Sequence, residues 1–478
     1  MRSGGATGAA WVGLSFGIGL AALVGGCEIE NSGRPVPPAQ INFPIAIVLA
    51  GEPSVSGSPF LLVANANFDL RYAAGTLQSY ALDAIEARIA DRSFRCDPEA
   101  GDPCDEPGEC RPEAFRPCVI SDDELPSLIV SEVLLGSHMD GLALSSVGDR
   151  AYLPVRSDRG GLSWVELASG TGMLHCGSVI DQGREECDVA HRSTDETIAR
   201  SAGQTLPSDP VALAVVPLAT LGLGVGGDYV VMAHRNGHAS LFLDDHDALT
   251  PGRPPRYLHT LAGVPNDIVT IEASPDGLVW LTSAAAVAMR ASRDLVALEI
   301  ALARPPDPAS AQLRIARRFT LRGLDDGTDT RDVAFDEGTE RLWVLARRPD
   351  AVITVDFRVP PPVPGDAPIT SVHSVGVGPS RLELYRPRVG EANRTLLVAS
   401  CYDARALFVV DPDLGTIATV PGIDGPFEMA IDHVRGRAYV ADFRFSVIWI
   451  VDLSPLVDGG SPVVLGRLGS GHAPSVFR

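Results

Sequence analysis

The chain has 478 residues, 45% of them hydrophobic, and a formal charge of −21. All 39 basic residues are arginine, which excludes a Schiff-base lysine, a Walker lysine and a lysine general base. An acidic surface of this kind repels phosphate backbones and argues against a nucleic-acid partner.

Residues 9–26 carry no charge, and only Arg2 precedes them with one. An apolar run of this length can enter a membrane as a helix. It ends in Leu23-Val24-Gly25-Gly26-Cys27, which resembles the lipobox of bacterial lipoproteins. The resemblance implies a signal peptide over 1–26, lipidation of Cys27 and membrane attachment through that lipid, with palmitate among its acyl chains. Two acyl chains anchor stably, since each buried methylene contributes roughly 0.8 kcal/mol. Glu28, rather than Asp, follows the cysteine; by the same resemblance this favours the outer membrane of the cell envelope over the inner one. Residues 27–40 then read as the lipidated cysteine and a polar, Pro-rich tether.

Over 41–478 one unit recurs seven times: a short apolar strand, a turn, a second strand, a polar loop, and a third strand that often ends in Asp. The opening copy runs Pro44–Val48, Phe60–Ala64 and Thr76–Asp83. The next three begin near Asp140, Pro210 and Pro265, with second strands at Ala151–Val155, Tyr229–Met232 and Val279–Leu281. The fifth runs Arg331–Phe335, Arg341–Leu345 and Ala351–Asp356; the sixth Arg381–Leu384, Thr395–Ala399 and Ala406–Asp411; the last Pro426–Ile431, Arg437–Asp442 and Ser446–Asp452. Each strand is bounded by Gly, Pro, Asn or Asp, and no helical periodicity competes. Three or four antiparallel strands, seven times over, predict an all-β, seven-bladed β-propeller. One blade cannot bury both faces alone, whereas a ring buries each against its neighbour. Tyr439-Val440-Ala441-Asp442 and Val451-Asp452 resemble the YVTN-type bacterial propeller repeat, closely in the last three units and loosely in the first four. That resemblance implies the fold and no single activity.

Two insertions interrupt the units. Residues 91–125 hold Cys96, Cys104, Cys110 and Cys118, and residues 170–207 hold Cys176 and Cys187. In an exported chain such clusters read as disulfides, and the zinc alternative lacks CxxC spacing and a nearby His in the first cluster. Cys176–Cys187 has no local competitor; the connectivity of the first cluster stays open. Closing a loop of about ten residues contributes very roughly 2–3 kcal/mol. Cys401, inside an apolar run, reads as a buried, inert thiol. The tail from Gly471 to Phe477 resembles the opening of a further unit, either zipped against the first or unpaired.

No strong catalytic motif is present. Gly222–Gly227 precedes a strand and reads as a turn, because a dinucleotide loop needs a helix N-terminus for its pyrophosphate. Asp325–Asp329 and Asp244–Asp247 read as solvated turns in preference to calcium loops. His234 and His238 flank a polar loop and are expected to be exposed rather than metal-bound. Asp140, Asp267, Asp332, Arg381 and Glu428 form the main candidate site. Each lies at or before the first strand of its unit, the innermost strand of a propeller, so all five are expected at one mouth of the channel. Four carboxylates and an Arg there could hold a divalent cation, the one candidate cofactor, or a polyhydroxylated ligand, and would raise one another's pKa values.

The expected function is a non-enzymatic binding platform, lipid-anchored in the cell envelope, with a protein or envelope-polymer partner. One alternative is a metal-dependent, lactonase-like hydrolase in which two or more of Asp140, Asp267, Asp332 and Glu428 share a metal. A second is a carbohydrate-binding adhesin, which needs exposed aromatics in a chain that is only 6% aromatic.

Overall fold

The computed structural model describes residues 34–51, 57–90, 117–157, 160–168, 170–181, 183–223, 226–245, 253–283, 294–322, 328–336, 339–361, 363–387 and 394–471. Cys27 and its lipobox, Cys96, Cys104, Cys110, Asp325, Asp326 and the tail beyond Gly471 lie outside them.

Seven antiparallel sheets follow one another along the chain, and their first strands contact in a closed ring, so the fold is a seven-bladed β-propeller. The inner strands are Pro44–Ala50, Ala143–Leu144, Pro210–Pro217, Ile268–Ala273, Asp329–Asp336, Pro379–Tyr385 and Pro426–Asp432. Seven apolar clusters make up most of the core, each at a junction between neighbouring blades, and a small eighth lies under the N-terminal stretch. At the junction of blades 7 and 1, for example, Ile41, Leu61 and Tyr80 pack with Tyr439, Ile448 and Ile450. Strands buried on both faces explain why the second strands are nearly continuous apolar runs, as in Leu396–Cys401.

The recurrent terminal Asp makes a turn. Asp411 Oδ1 accepts the amides of Asp413 at 2.9 Å and Leu414 at 3.1 Å. Asp356 and Asp452 do the same for Arg358 and Ser454. Each is also clasped by an Arg near the start of the blade's second strand: Arg341–Asp356 at 3.5 Å, Arg394–Asp411 at 2.8 Å and Arg437–Asp452 at 2.5 Å. The side chain thus satisfies turn amides that the ladder leaves orphaned.

Several expectations are corrected. Asp83 does not end a strand: it belongs to the helix Leu82–Ala90 that follows Gly75–Ala81. A second helix, Asp195–Ala202, closes the other insertion with a Thr194 capping box. The 170–207 insertion is ordered, as its cysteine pair suggests. Its hairpin Gly177–Asp181/Arg184–Cys187 adds parallel to the outer strand of blade 1, Ile129–Leu135, and carries the Cys176–Cys187 disulfide. The end of the first insertion, Cys118–Ile120, adds likewise to the outer strand of blade 7, Val463–Leu468. Both cover open sheet edges. From Arg34 onward the Pro-rich stretch is no free tether: Val36 packs on Tyr72 and Leu134, and the Ala39 amide donates to Glu132 at 2.9 Å.

Candidate functional site

In six blades the inner strand slips register against its neighbour near its start, between Pro44 and Ala46, Pro210 and Ala212, Ile268 and Ile271, Thr330 and Asp332, Pro379 and Arg381, and Pro426 and Glu428. Such bulges re-aim the side chains beside them. Here Ala46, Ala212, Thr270, Asp332, Arg381 and Glu428 all line one central cavity of about 420 Å³, joined by Asp140 and Gly141 from blade 2. Two residues further along the same faces, Val48, Glu272, Ala334 and Glu383 line it too, as the period of two along a strand requires.

The cavity is one-sided. Blades 4 to 7 contribute Thr270, Glu272, Asp332, Arg381, Glu383 and Glu428; blades 1 to 3 contribute Ala46, Val48, Leu142 and Ala212, with Asp140 as their charge. Asp140 is engaged by Arg156 at 2.7 Å, which also reaches Asp209 at 3.4 Å.

The charged arc is cross-braced from blade to blade. Thr270 Oγ1 donates to Asp332 Oδ1 at 3.1 Å, and the Leu382 amide donates to Asp332 Oδ2 at 2.8 Å. Arg381 Nε donates to Glu428 Oε2 at 2.6 Å, and the guanidinium lies 5.5 Å from the centre of the Phe427 ring. Glu272 and Glu383 accept no hydrogen bond from any described residue. Glu272 is exposed and Glu383 half-buried, and both line the cavity.

Burial sets the protonation of this arc first, and mutual repulsion second. Glu272 is pushed up to about 8 by desolvation and then by Asp332 and Glu428, against the pull of Arg381. Glu383 is raised well above the ordinary carboxyl range by the same causes, and Asp332 and Glu428 are raised by burial with Arg381 holding them back. Burial opposes the charge on Arg381, but Glu428 and Asp332 outweigh it and the guanidinium is held more firmly ionised. Asp140 is raised by desolvation, with Arg156 opposing.

Four of the five singled-out residues therefore share the cavity, and Asp267 does not. It precedes its strand in a left-handed conformation, φ 56°, with its amide bonded to Arg235 O at 2.8 Å. Thr270 takes the corresponding place. Glu272 and Glu383 were missed, although alternation from Thr270 and Arg381 points to both. His234 is not exposed: it is fully buried in Asp228–His234, with Nε2 and Ser240 Oγ 2.9 Å apart, and desolvation lowers it to about 4. Cys401 is buried, with its thiol pushed up to about 12 by desolvation.

Among the described residues no three His, Cys, Asp or Glu side chains are grouped so as to hold a metal ion. Phe68, 43% exposed, is the one exposed aromatic residue among them, a thin basis for a sugar-binding face. The fold and cavity define a seven-bladed β-propeller with an acidic, one-sided central chamber. Neither a scan of protein-family models nor a search of curated proteins finds a match to this chain.

Proposed function

We propose that this protein is a lipid-anchored binding platform of the bacterial cell envelope, of the lipoprotein and YVTN-repeat type, that takes its ligand into the central chamber without turning it over. One observation carries the reading: six inner strands, and the residues just before the inner strand of blade 2, contribute to a single cavity of about 420 Å³, within the usual range of small-ligand sites. Asp332 and Glu428 there are braced by backbone amides, Thr270 and Arg381 rather than poised beside a nucleophile or a general base partner. Attachment rests on the lipobox-like stretch ending at Cys27, with the outer membrane as the favoured location.

Two measurements test this. Metabolic labelling with a palmitate analogue is expected to mark the wild type and not Cys27→Ser; equal labelling would overturn the anchor. A thermal-shift screen of the full-length protein in detergent, against amines, amino acids, sugars and divalent cations, is expected to yield a stabilising ligand. That shift should vanish in Ala212→Trp, which fills the chamber, and shrink in the milder Ala46→Leu. A shift that survives both, or none from any class, overturns the chamber as the binding site.

A further inference from the structure

We propose that the ligand of the central chamber is an extended organic cation, a molecule with protonated primary amines on a short apolar stem. This inference rests on the chamber being the binding site and adds the class of ligand. Its grounds are the distribution of partners within the arc. Arg381 is spent on Glu428 at 2.6 Å and covered by Phe427, and Arg386, which also lines the cavity, is spent on Asp336 at 2.9 Å. Asp332 is filled by Thr270, Val333 and Leu382. Glu272 and Glu383 are left, both lining the cavity with accessible surface on it, and neither accepting a bond from a described residue.

Ionised carboxylates only accept, so the molecule that completes them supplies donors and positive charge. A polyol brings neutral hydroxyls and leaves the repulsion uncompensated. A bare divalent ion wants several oxygens converging on a point, and no three-carboxylate group stands ready among the described residues. Glu272 and Glu383 sit instead on blades 4 and 6, with Ala334 of blade 5 between them. Two acceptors on different blades suit a ligand with two donors. Opposite them lie Ala46, Val48, Leu142 and Ala212, an apolar wall on which a methylene stem buries its surface.

Binding must then release protons. Glu272 faces Asp332, Glu383, Glu428 and Arg381 and is pushed up to about 8, so near neutrality it is largely protonated in the empty chamber. An ammonium group binds the ionised form, and the displaced proton leaves to buffer. Affinity should rise as pH climbs through about 8 and fall again once the amines themselves deprotonate near 10.4.

Isothermal titration of the full-length protein with 1,5-diaminopentane tests this, with 1,5-pentanediol and calcium chloride as comparison probes. The diamine is expected to bind with proton release, read from the dependence of heat on buffer ionisation. Glu272→Gln and Glu383→Gln keep the shape of the chamber and are each expected to weaken it by about tenfold, the worth of one charge-assisted hydrogen bond. Equal binding of the diol, calcium competing at the same two residues, unchanged affinity in both variants, or no diamine binding would each overturn the proposal. If a sugar or amino acid then gives a shift abolished by Ala212→Trp, the chamber keeps its role and only the cationic ligand is lost.

Discussion

Arg381 sits 9% exposed beneath a carboxylate arc that would not tolerate its loss. Breaking a buried pair strands the remaining charge, so Arg381→Met is expected to cost about 3 kcal/mol at neutral pH by urea unfolding. The deficit should widen toward high pH, because Glu428 and Asp332 lose the group that favours their ionised forms. Glu272 gives the opposite sign. Its folded-state pKa lies above the unfolded value, so the folded chain binds the extra proton between about 4.3 and about 8 and stability falls as pH rises across that window. Glu272→Gln should therefore raise the melting temperature at about pH 9 and leave it nearly unchanged at about pH 4; a uniform gain at both would show that repulsion is not the cause. The sequence made Asp332, Arg381 and Glu428 visible because each falls near the start of a recognisable strand. It misleads at Asp267, because Pro265 reads as the start of a strand that begins at Ile268. Bulges leave no residue signature of their own, so the step from Asp267 to Thr270 could not be read from spacing. Glu272 and Glu383 were within reach of the period-two rule once that register is right.

At the scale of elements, side chains that serve turns carry more than their exposure suggests. Asp442 Oδ1 accepts the amides of Arg444 at 2.9 Å and Phe445 at 3.0 Å, while Oδ2 accepts Trp449 Nε1 at 2.9 Å. Asp442→Ala leaves a buried indole N–H without a partner and is expected to cost about 3 kcal/mol in chemical denaturation. The hairpin carrying Cys176–Cys187 belongs to this scale too. Replacing both cysteines by Ala should cost about 2–3 kcal/mol, and hydrogen exchange should speed up in Gly177–Cys187 and in the edge Ile129–Leu135 it covers. Faster exchange confined to the hairpin would mean the added strands do not protect blade 1. First, second and most third strands were legible as runs of β-branched and apolar residues. The fourth strands were not, since an outer strand such as Ile369–Ser374 is half wet and alternates Ile, Thr, Ser, Val, His and Ser without a strong apolar period. The helix Leu82–Ala90 escaped because nine residues give barely two turns of pattern.

For the whole molecule, the way the ring closes decides how it comes apart. Blade 1 is built from residues before Leu135 and blade 7 from residues after Pro426, apart from the short strands that the insertions add. Among the described residues the one strand that crosses between the first and last units is the short Cys118–Ile120, so their junction is the one that can open against that strap and side-chain contacts, with no consecutive blade-to-blade connection of the chain to pull on. Side chains hold it instead. Asp432 Oδ2 accepts the Ser58 amide at 3.2 Å and pairs with Arg435 at 2.6 Å; Arg435 donates to Ser58 O at 2.6 Å and reaches Asp83 at 2.5 Å; the Phe43 amide donates to Ser446 Oγ at 3.2 Å. Cys118–Ile120 lies across the outer end as a strap on Val463–Leu468. Asp432→Ala removes the hub of this network, leaves Arg435 with Asp83 as its carboxylate partner and strips its own turn of an acceptor for Val434 and Arg435. The expected cost is about 3 kcal/mol, and its distribution is the sharper test. If the junction is the opening point, exchange should accelerate in Pro44–Ala50 and Pro426–Asp432 and stay slow in Asp329–Asp336, on the far side of the ring. Asp336→Ala, which removes the Arg386 contact of 2.9 Å between blades 5 and 6, should not open the ring there, because the chain itself joins those blades. An even spread of faster exchange in Asp432→Ala, or the same pattern in both variants, would show that the ring yields as a unit and that its closure has no special weak point.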